Sequence, residues 1–358
     1  MKQEIIGLTL EEIEQEILPL GLKKYRGKQI FQWLYQQGVN SFEEMTNLSK
    51  ADRELLAEHF TLLTGSLTVL RRQDSKDGLT SKVLLQFPDG ASVEAVLMHH
   101  DYGYSICLSS QVGCSMGCAF CASGLLGCQR DLTAGEILAQ LYYFQRELTP
   151  KEERISRLVV MGSGEPLLNL EAVLKALDIL HSDFAQGIGY RNMTISTCGI
   201  VPGINELVRQ KRTINLAVSL HSGDMEMRSR LMPINKKYPL DLVIAAADLY
   251  QKENGRQTMY EYILLAGLND TTQAADALIK ALRGKNCVVN LIPANPVPEK
   301  GFQRPTEAGV NAFFQLLKKA KLNVTLRKEM GKDIDAACGQ LRARNLRGEG
   351  YENSLSDQ

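Results

Sequence analysis

The sequence has no net charge: its 41 basic and 41 acidic side chains cancel. Any surface for a polyanion must then be a local patch on a neutral body. No uninterrupted apolar stretch approaches the roughly twenty residues a bilayer span needs, so no membrane partner is expected. The opening residues, MKQEIIGLTLEEIEQEILPL, alternate acids with apolar side chains and lack a signal-peptide core. These absences together predict a cytoplasmic protein. Repeats and low-complexity tracts are missing too, apart from a polar tail after Gly348 that is expected to fray. Without a secretion signal, eight cysteines in 358 residues fit thiol chemistry in a reducing compartment better than a disulfide scaffold. Apolar residues make up 44% of the chain, ample for a core, and the length suggests about two domains.

Apolar periodicity divides the chain. Helical patterns over 11–17 (Leu10, Ile13 and Ile17 on one face), 28–37 and 50–60 predict a small helical domain within residues 1–75. Two β-rich runs, 80–87 and 91–98, flank Pro88-Asp89-Gly90 and predict a connecting hairpin within 76–100. Apolar runs at 103–108, 156–161, 192–197, 213–219, 258–265 and 287–293 then alternate with helical stretches such as 133–148, 170–183 and 271–284. That alternation predicts an α/β core over 101–345 with a parallel sheet, followed by a polar tail over 346–358. Some 240 residues and six clear units are short of a closed eight-unit barrel, so an open, partial (β/α)6 TIM-like barrel is expected. Thr133 and Glu136 form a T-x-x-E signature that starts the first core helix.

The run Cys114-Ser-Met-Gly-Cys118-Ala-Phe-Cys121 offers three thiolates in eight residues and no fourth. Structural zinc sites close with four ligands, and no His or Cys stands nearby at finger spacing. Three ligands on a four-iron cube leave one iron open to bind something. A zinc knuckle, a redox thiol cluster or plain buried cysteines are the competing readings. Strand ends in parallel α/β folds collect function, and here they carry Met161-Gly-Ser-Gly-Glu-Pro166, Ser196, Ser219-Leu220-His221 and Asn295. Glu165 suits an ammonium group, or the segment is an ordinary tight turn. His221 is a ligand or a satisfied core histidine. Cys107 precedes the cluster loop, and Cys338 sits in the polar, glycine-containing run Asp333-Ile-Asp-Ala-Ala-Cys-Gly-Gln-Leu341, as a reactive or a structural thiol. Cys128, Cys198 and Cys287 read as buried, apolar-like thiols. Basic residues Lys23, Lys24, Arg26 and Lys28 ahead of Trp33 and Tyr35 form either a patch suited to phosphates and base stacking or a solvated helix start. Arg327, Lys328, Lys332, Arg342, Arg344 and Arg347 form a second candidate RNA patch.

The C-x3-C-x2-C spacing resembles the signature of the radical S-adenosylmethionine (SAM) superfamily. The run from Cys107 to Cys121, MGSGEPLLN at 161–169, SLH at 219–221, NLIPANP at 290–296 and DIDAACGQL at 333–341 resemble the RlmN family of RNA adenine-C2 methyltransferases and its Cfr relatives. RGKQIFQWLYQQG at 26–38 and EMTNLSK at 44–50 extend the match. The resemblance implies a [4Fe-4S] cluster on Cys114, Cys118 and Cys121, and two SAM per turnover, held by Gly164, Glu165, Ser196, Ser219, Leu220, His221 and Asn295. It implies that Cys338 carries the methyl as S-methylcysteine, that Glu94 removes the C2 proton, and that Cys107 resolves the adduct through a transient disulfide with Cys338. Without the resemblance, Glu94 reads as the solvent-facing member of an alternating strand. The family's commoner STSG is STCG here, with Ser196 retained.

The implied substrates are adenine 2503 of 23S rRNA and adenine 37 of some tRNAs, bound in part by the N-terminal domain. The implied electron donor is a reductant such as flavodoxin or ferredoxin, and the protein is expected to be a monomer. Pro166 sides with the C2 branch. The alternatives are Cfr-type C8 methylation of the same adenosine, a glycyl-radical activating enzyme and a non-catalytic iron-sulfur RNA-binding protein.

Overall fold

The computed structural model describes residues 2–125, 127–295, 297–327, 330–331, 334 and 340–346. Its first helix, α1 (Leu10–Ile17), starts at Thr9, whose hydroxyl accepts from the Glu12 N–H while the Glu12 carboxylate accepts from the Thr9 N–H. Each satisfies an amide donor that the helix end leaves open. Helix α2 (Tyr25–Gln32) widens into a π turn over Trp33–Gln37 and stops at Gly38, φ +69°. The helix expected over 28–37 thus begins earlier and is not α-helical throughout. Helix α3 (Lys50–His59) is capped by Ser49. Tyr35 fastens these helices to the rest of the chain: its hydroxyl accepts from the Gly7 N–H and donates to the Leu8 carbonyl, and its own carbonyl accepts from the Tyr142 hydroxyl at 2.6 Å. A Cβ at Gly7 would lie 2.5 Å from the Gly135 nitrogen, so this approach needs glycine.

Ten strands form the main sheet in chain order: β1 (Thr68–Asp74), β2 (Thr80–Gln86), β3 (Ser92–His100), β4 (Gly103–Leu108), β5 (Ile155–Val160), β6 (Met193–Thr197), β7 (Asn215–Ser219), β8 (Thr258–Leu264), β9 (Cys287–Pro293) and β10 (Val324–Leu326). The first four are an antiparallel meander and β4 to β10 are parallel. Helices α4 (Ala134–Leu148), α5 (Leu170–His181), α6 (Val201–Gln210), α7 (Met225–Leu231), α8 (Leu240–Asn254), α9 (Thr272–Leu282) and α10 (Glu307–Lys319) fill the crossovers, and α11 (Gln340–Leu346) follows β10. Six βα units therefore run into a seventh parallel strand, with β1 and β10 at the two edges, as an open partial barrel requires. Thr133 and Glu136 form the reciprocal cap of α4 that their spacing predicts. The hairpin around Gly90 is also found, but β3 pairs onward with β4 and the hairpin is continuous with the central sheet. Among the described residues no helix is long and apolar enough to cross a membrane.

Directly paired residues share a face of a sheet. Ile106, Leu158, Val160, Ile195, Val218, Tyr260 and Val289 thereby line one buried face. The register puts Lys82, Glu94, Cys107, Ser196, Ser219, Glu261 and Asn290 on the opposite, inner face. Apolar residues hold the sheet to its helices, and polar ones line the bowl.

Candidate active site at the carboxyl end of the sheet

The loop after β4 is pinned before it reaches the cysteines. The side-chain amide of Gln140 brackets Ser109, accepting from its N–H and donating to its carbonyl, and the Ser110 and Gln111 N–H groups both donate to the Ser163 carbonyl. Gly162 and Gly164 permit that contact: a Cβ on either would lie 2.6 Å from a serine oxygen, of Ser109 and Ser110 respectively. Gln111–Gly113 then pairs with Cys128–Asp131, and the Cys114 N–H donates to the Gly127 carbonyl. Cys114, Cys118 and Cys121 are half-buried. Burial, with the charge of the neighbouring thiols, pushes Cys114 up to about 11 and Cys118 higher still. A metal that takes thiolates removes that cost. Among the described residues no three His, Cys, Asp or Glu side chains converge on one point as a mononuclear ion demands. A cube that offers separate iron corners fits three spaced thiols, and the donor set suits a [4Fe-4S] cluster.

Glu165 caps the next strand end. Its carboxylate accepts from the Leu167 and Cys198 N–H groups, its own N–H donates to the Gln111 side chain, and burial raises its pKa. The Thr197 and Cys198 side chains also bond this carboxylate. Cys198 is buried as expected, yet it is not simply apolar: its thiol also bonds Glu165, and burial pushes its pKa up. Ser196 donates to Glu261 at 3.1 Å, a buried carboxylate that periodicity does not single out. His221 adopts φ +59°, places Nδ1 to accept from the Ile263 N–H and meets Phe120 of the cluster loop edge-on at 4.7 Å. Burial and the nearby Arg228 push it down to about 3, so the ring is neutral. His221 is thus a satisfied core histidine, and its ring stands against the cluster loop. Leu220 is buried, Ser219 is half-buried, and Asn295 is exposed beyond β9.

Arg228 has no sequence signature. It is fully buried and bonds only neutral oxygens: Asn235 Oδ1 at 2.6 Å, the Cys198 carbonyl at 2.8 Å and the Ser219 carbonyl at 3.5 Å. Its Nε has no partner. Burial pushes the guanidinium down to about 10, against the opposing pull of Cys198 and Cys118.

A second group of residues occupies the meander side. Glu94 is not solvent-facing: it is buried, 3.0 Å from the fully buried Lys82. The alternation of β3 is real, but its second face turns into the bowl rather than to water. Glu94 Oε1 accepts from the Arg342 N–H at 2.7 Å, and the Glu94 carbonyl accepts from Ser109 Oγ. Cys107 is buried on the same face, opposite Val96. Helix α11 packs against β3 and the turn Ala122–Gly124 after the last cluster cysteine. Cys338 lies outside the described residues, and no disulfide joins two described cysteines.

The RNA patches fare unevenly. Tyr35 is buried and bonded inward, so it offers no stacking face. Lys24 pairs with Glu14, Arg26 with Asp52, and Lys28 lies 3.8 Å over the Phe184 ring. In the second patch, Arg342 is buried and donates to Gln129. Arg327 is exposed, and Lys328, Lys332 and Arg347 lie outside the described residues.

An open parallel barrel with a three-cysteine loop at its carboxyl end defines a radical SAM enzyme. Comparison agrees: the radical SAM superfamily matches residues 108–278, and the ribosomal RNA large subunit methyltransferase N-terminal domain matches residues 3–62. A crystal structure of a radical SAM methyltransferase from Sphaerobacter thermophilus superposes with TM-score 0.91 and 41% identity, over 94% of this chain and 98% of that one. Curated relatives from Staphylococcus aureus strains JH9 and Newman, each named probable dual-specificity RNA methyltransferase RlmN, are 46% identical over 96% of this chain and 93% of theirs. The chain belongs to the RlmN family of radical SAM RNA methyltransferases, enzymes that work with a [4Fe-4S] cluster and SAM.

Proposed function

We propose that this enzyme methylates C2 of adenine 2503 in 23S rRNA and of adenine 37 in some tRNAs, with residues 1–75 as an RNA-binding accessory region, the hairpin at 76–100 and the catalytic core at 101–345. Adenine C2 lies between two ring nitrogens and is too electron-poor to attack a methyl sulfonium, so polar transfer fails and a carbon radical is needed. Cys114, Cys118 and Cys121 would hold the [4Fe-4S] cluster, which would supply the electron that generates a radical from SAM. Gly164, Glu165, Ser196, Ser219, Leu220, His221 and Asn295 hold SAM. Cys338 carries the methyl; one of its C–H bonds breaks, the hydrogen going to the SAM-derived radical, and the carbon so freed bonds to C2, the adduct then giving up its unpaired electron to the cluster. Glu94 takes the C2 proton, and the Cys107 thiolate then attacks the Cys338 sulfur, which releases product and leaves a Cys107–Cys338 disulfide.

The observation that carries this reading is the Glu94 carboxylate: it shares the inner face with Cys107 and accepts the backbone N–H of Arg342, four residues past Cys338. The working setting we propose is a cytoplasmic monomer reduced by flavodoxin or ferredoxin. The test is mass spectrometry of digests of unmodified rRNA and tRNA after reaction with methyl-labelled SAM. Label in 2-methyladenosine at both positions is expected; a dominant 8-methyl product would overturn the C2 assignment.

A further inference from the structure

We infer that Arg228 is the internal counter-cation of the iron-sulfur cluster and raises its reduction potential. The inference rests on Cys114, Cys118 and Cys121 as cluster ligands, but not on the methyl-transfer roles of Cys338, Cys107 or Glu94.

A fully buried cation is normally found beside an anion, because leaving it unpaired costs several kcal/mol. The guanidinium of Arg228 meets an amide oxygen and two carbonyls, its Nε has no partner, and among the described residues no carboxylate lies within ion-pair distance. Its charge therefore lacks an opposite among the described carboxylates. The cluster loop supplies the direction. The carbonyl of Leu231, at the end of the same helix α7, accepts from the N–H of Ala119, the residue after Cys118, at 2.8 Å. A Cβ on Gly117, the residue before Cys118, would lie 3.8 Å from Pro233. Helix α7 is thus seated on the loop that carries the thiols, and its one buried cation points to the ends of β6 and β7 behind them. A four-iron core on three thiolates is an anion, and more so after it accepts an electron. Fixed positive charge in a low-dielectric site stabilises the reduced form more than the oxidised form.

A purely structural strut would make the same hydrogen bonds, so charge and shape must be separated. The experiment is a redox titration by electron paramagnetic resonance of anaerobically reconstituted wild type, Arg228→Lys, Arg228→Met and Asn235→Asp, with iron content measured for each. Arg228→Met removes the charge. Asn235→Asp keeps Arg228 and sets a carboxylate of nearly the same shape against it, although it gives up the Asn235 amide bonds to Met225 and Ser229. Both should lower the one-electron reduction equilibrium at least tenfold, a shift of about 59 mV, while Arg228→Lys shifts it less. A cluster that fails to assemble in Arg228→Met but assembles in Arg228→Lys supports the same charge requirement. Full iron with an unmoved potential in Arg228→Met or Asn235→Asp overturns the inference. So does loss of the cluster in both Arg228→Lys and Arg228→Met while circular dichroism shows them folded, because the guanidinium would then act by shape alone.

Discussion

Lys82, on the inner face of the sheet, and Arg228, on helix α7 against the carboxyl ends of β6 and β7, are both fully buried cations, yet their surroundings differ in kind. Lys82 faces the Glu94 carboxylate at 3.0 Å and is neutralised by the protein itself. Arg228 meets only neutral oxygens. On the meander side Lys82 and Glu94 neutralise each other, whereas at the carboxyl ends of β5 to β7 the buried Arg228 has no carboxylate partner among the described residues, even though the buried carboxylate Glu165 follows β5. The difference teaches which half awaits an anionic group. Under the proposed function it also separates two tasks: one half generates a reactive species, and the other handles thiol, proton and base.

The largest effect expected from breaking this division is in the cluster half. Cys118→Ala removes one of three thiolates, so bound iron should fall and RNA methylation should drop to background, as read by iron assay and methyl incorporation. Fold should survive, since the residue is only half-buried. Retention of about four irons per chain would move Cys118 out of the ligand set.

In the other half, Cys107→Ala should spare iron content and methyl loading while blocking release. The expected outcome is at most one turnover and a protein–RNA adduct that persists on a denaturing gel. Normal multiple turnover would remove Cys107 from the mechanism.

Lys82→Met tests whether the meander half is self-neutralised. Breaking a buried pair by removing one partner costs about 3–5 kcal/mol, and urea unfolding should show a loss of that order. Removing both charges in Lys82→Met/Glu94→Leu should recover most of it, because replacing the whole pair by apolar groups is nearly neutral. A single mutant as stable as wild type would mean the Lys82–Glu94 contact carries no weight.

The same division explains what could be read from the sequence. The parallel strands β4 to β9 are legible because each is an apolar run, and the three cysteines because their spacing is that of a ligand set. Strands β1, TVLRRQD, and β10, only three residues long, escaped because neither carries a core-facing pattern. Glu94 and Lys82 alternate with Val93 and Val83, a pattern that marks a polar face without telling water from the interior of a bowl. Arg228 was hidden in MEMRSRL, which reads as a charged surface helix, and Tyr35 reads as an exposed ring because its partners, Gly7, Leu8 and Tyr142, are far away in sequence. Local pattern shows which residues are polar, and only topology shows what the polar residues face.

A smaller effect concerns pH. In the fold His221 titrates near 3, lowered by burial and then by Arg228, while an unfolded histidine titrates near 6.5. The unfolded chain therefore binds the extra proton first as pH falls. Stability is fully present above about 6.5 and declines toward 3, by about 2 kcal/mol at pH 5 relative to pH 7. His221→Asn, a residue that tolerates the left-handed backbone at this position, should flatten that slope in urea titrations between pH 7 and pH 5. An unchanged slope would assign the acid sensitivity to other groups.

The smallest effect is expected where cations are exposed, and it sharpens the contrast with the buried pair. Lys24 lies 3.3 Å from Glu14 with 72% of its side chain exposed, so water and salt screen the contact and the side chain loses entropy to hold it. Lys24→Ala should change unfolding stability by less than about 0.5 kcal/mol. Its consequence, if the N-terminal helices touch RNA, lies in association: removing a side chain that neutralises one phosphate lowers the slope of log affinity against log salt by about one. Binding of unmodified rRNA fragments measured from 50 to 200 mM salt, for wild type, Lys23→Ala and Lys24→Ala, separates the two roles. A stability loss as large as that of Lys82→Met would show that exposure does not protect the fold from losing this charge. Unchanged salt slopes in both variants would remove Lys23 and Lys24 from the RNA interface and leave the patch as a solvated helix start.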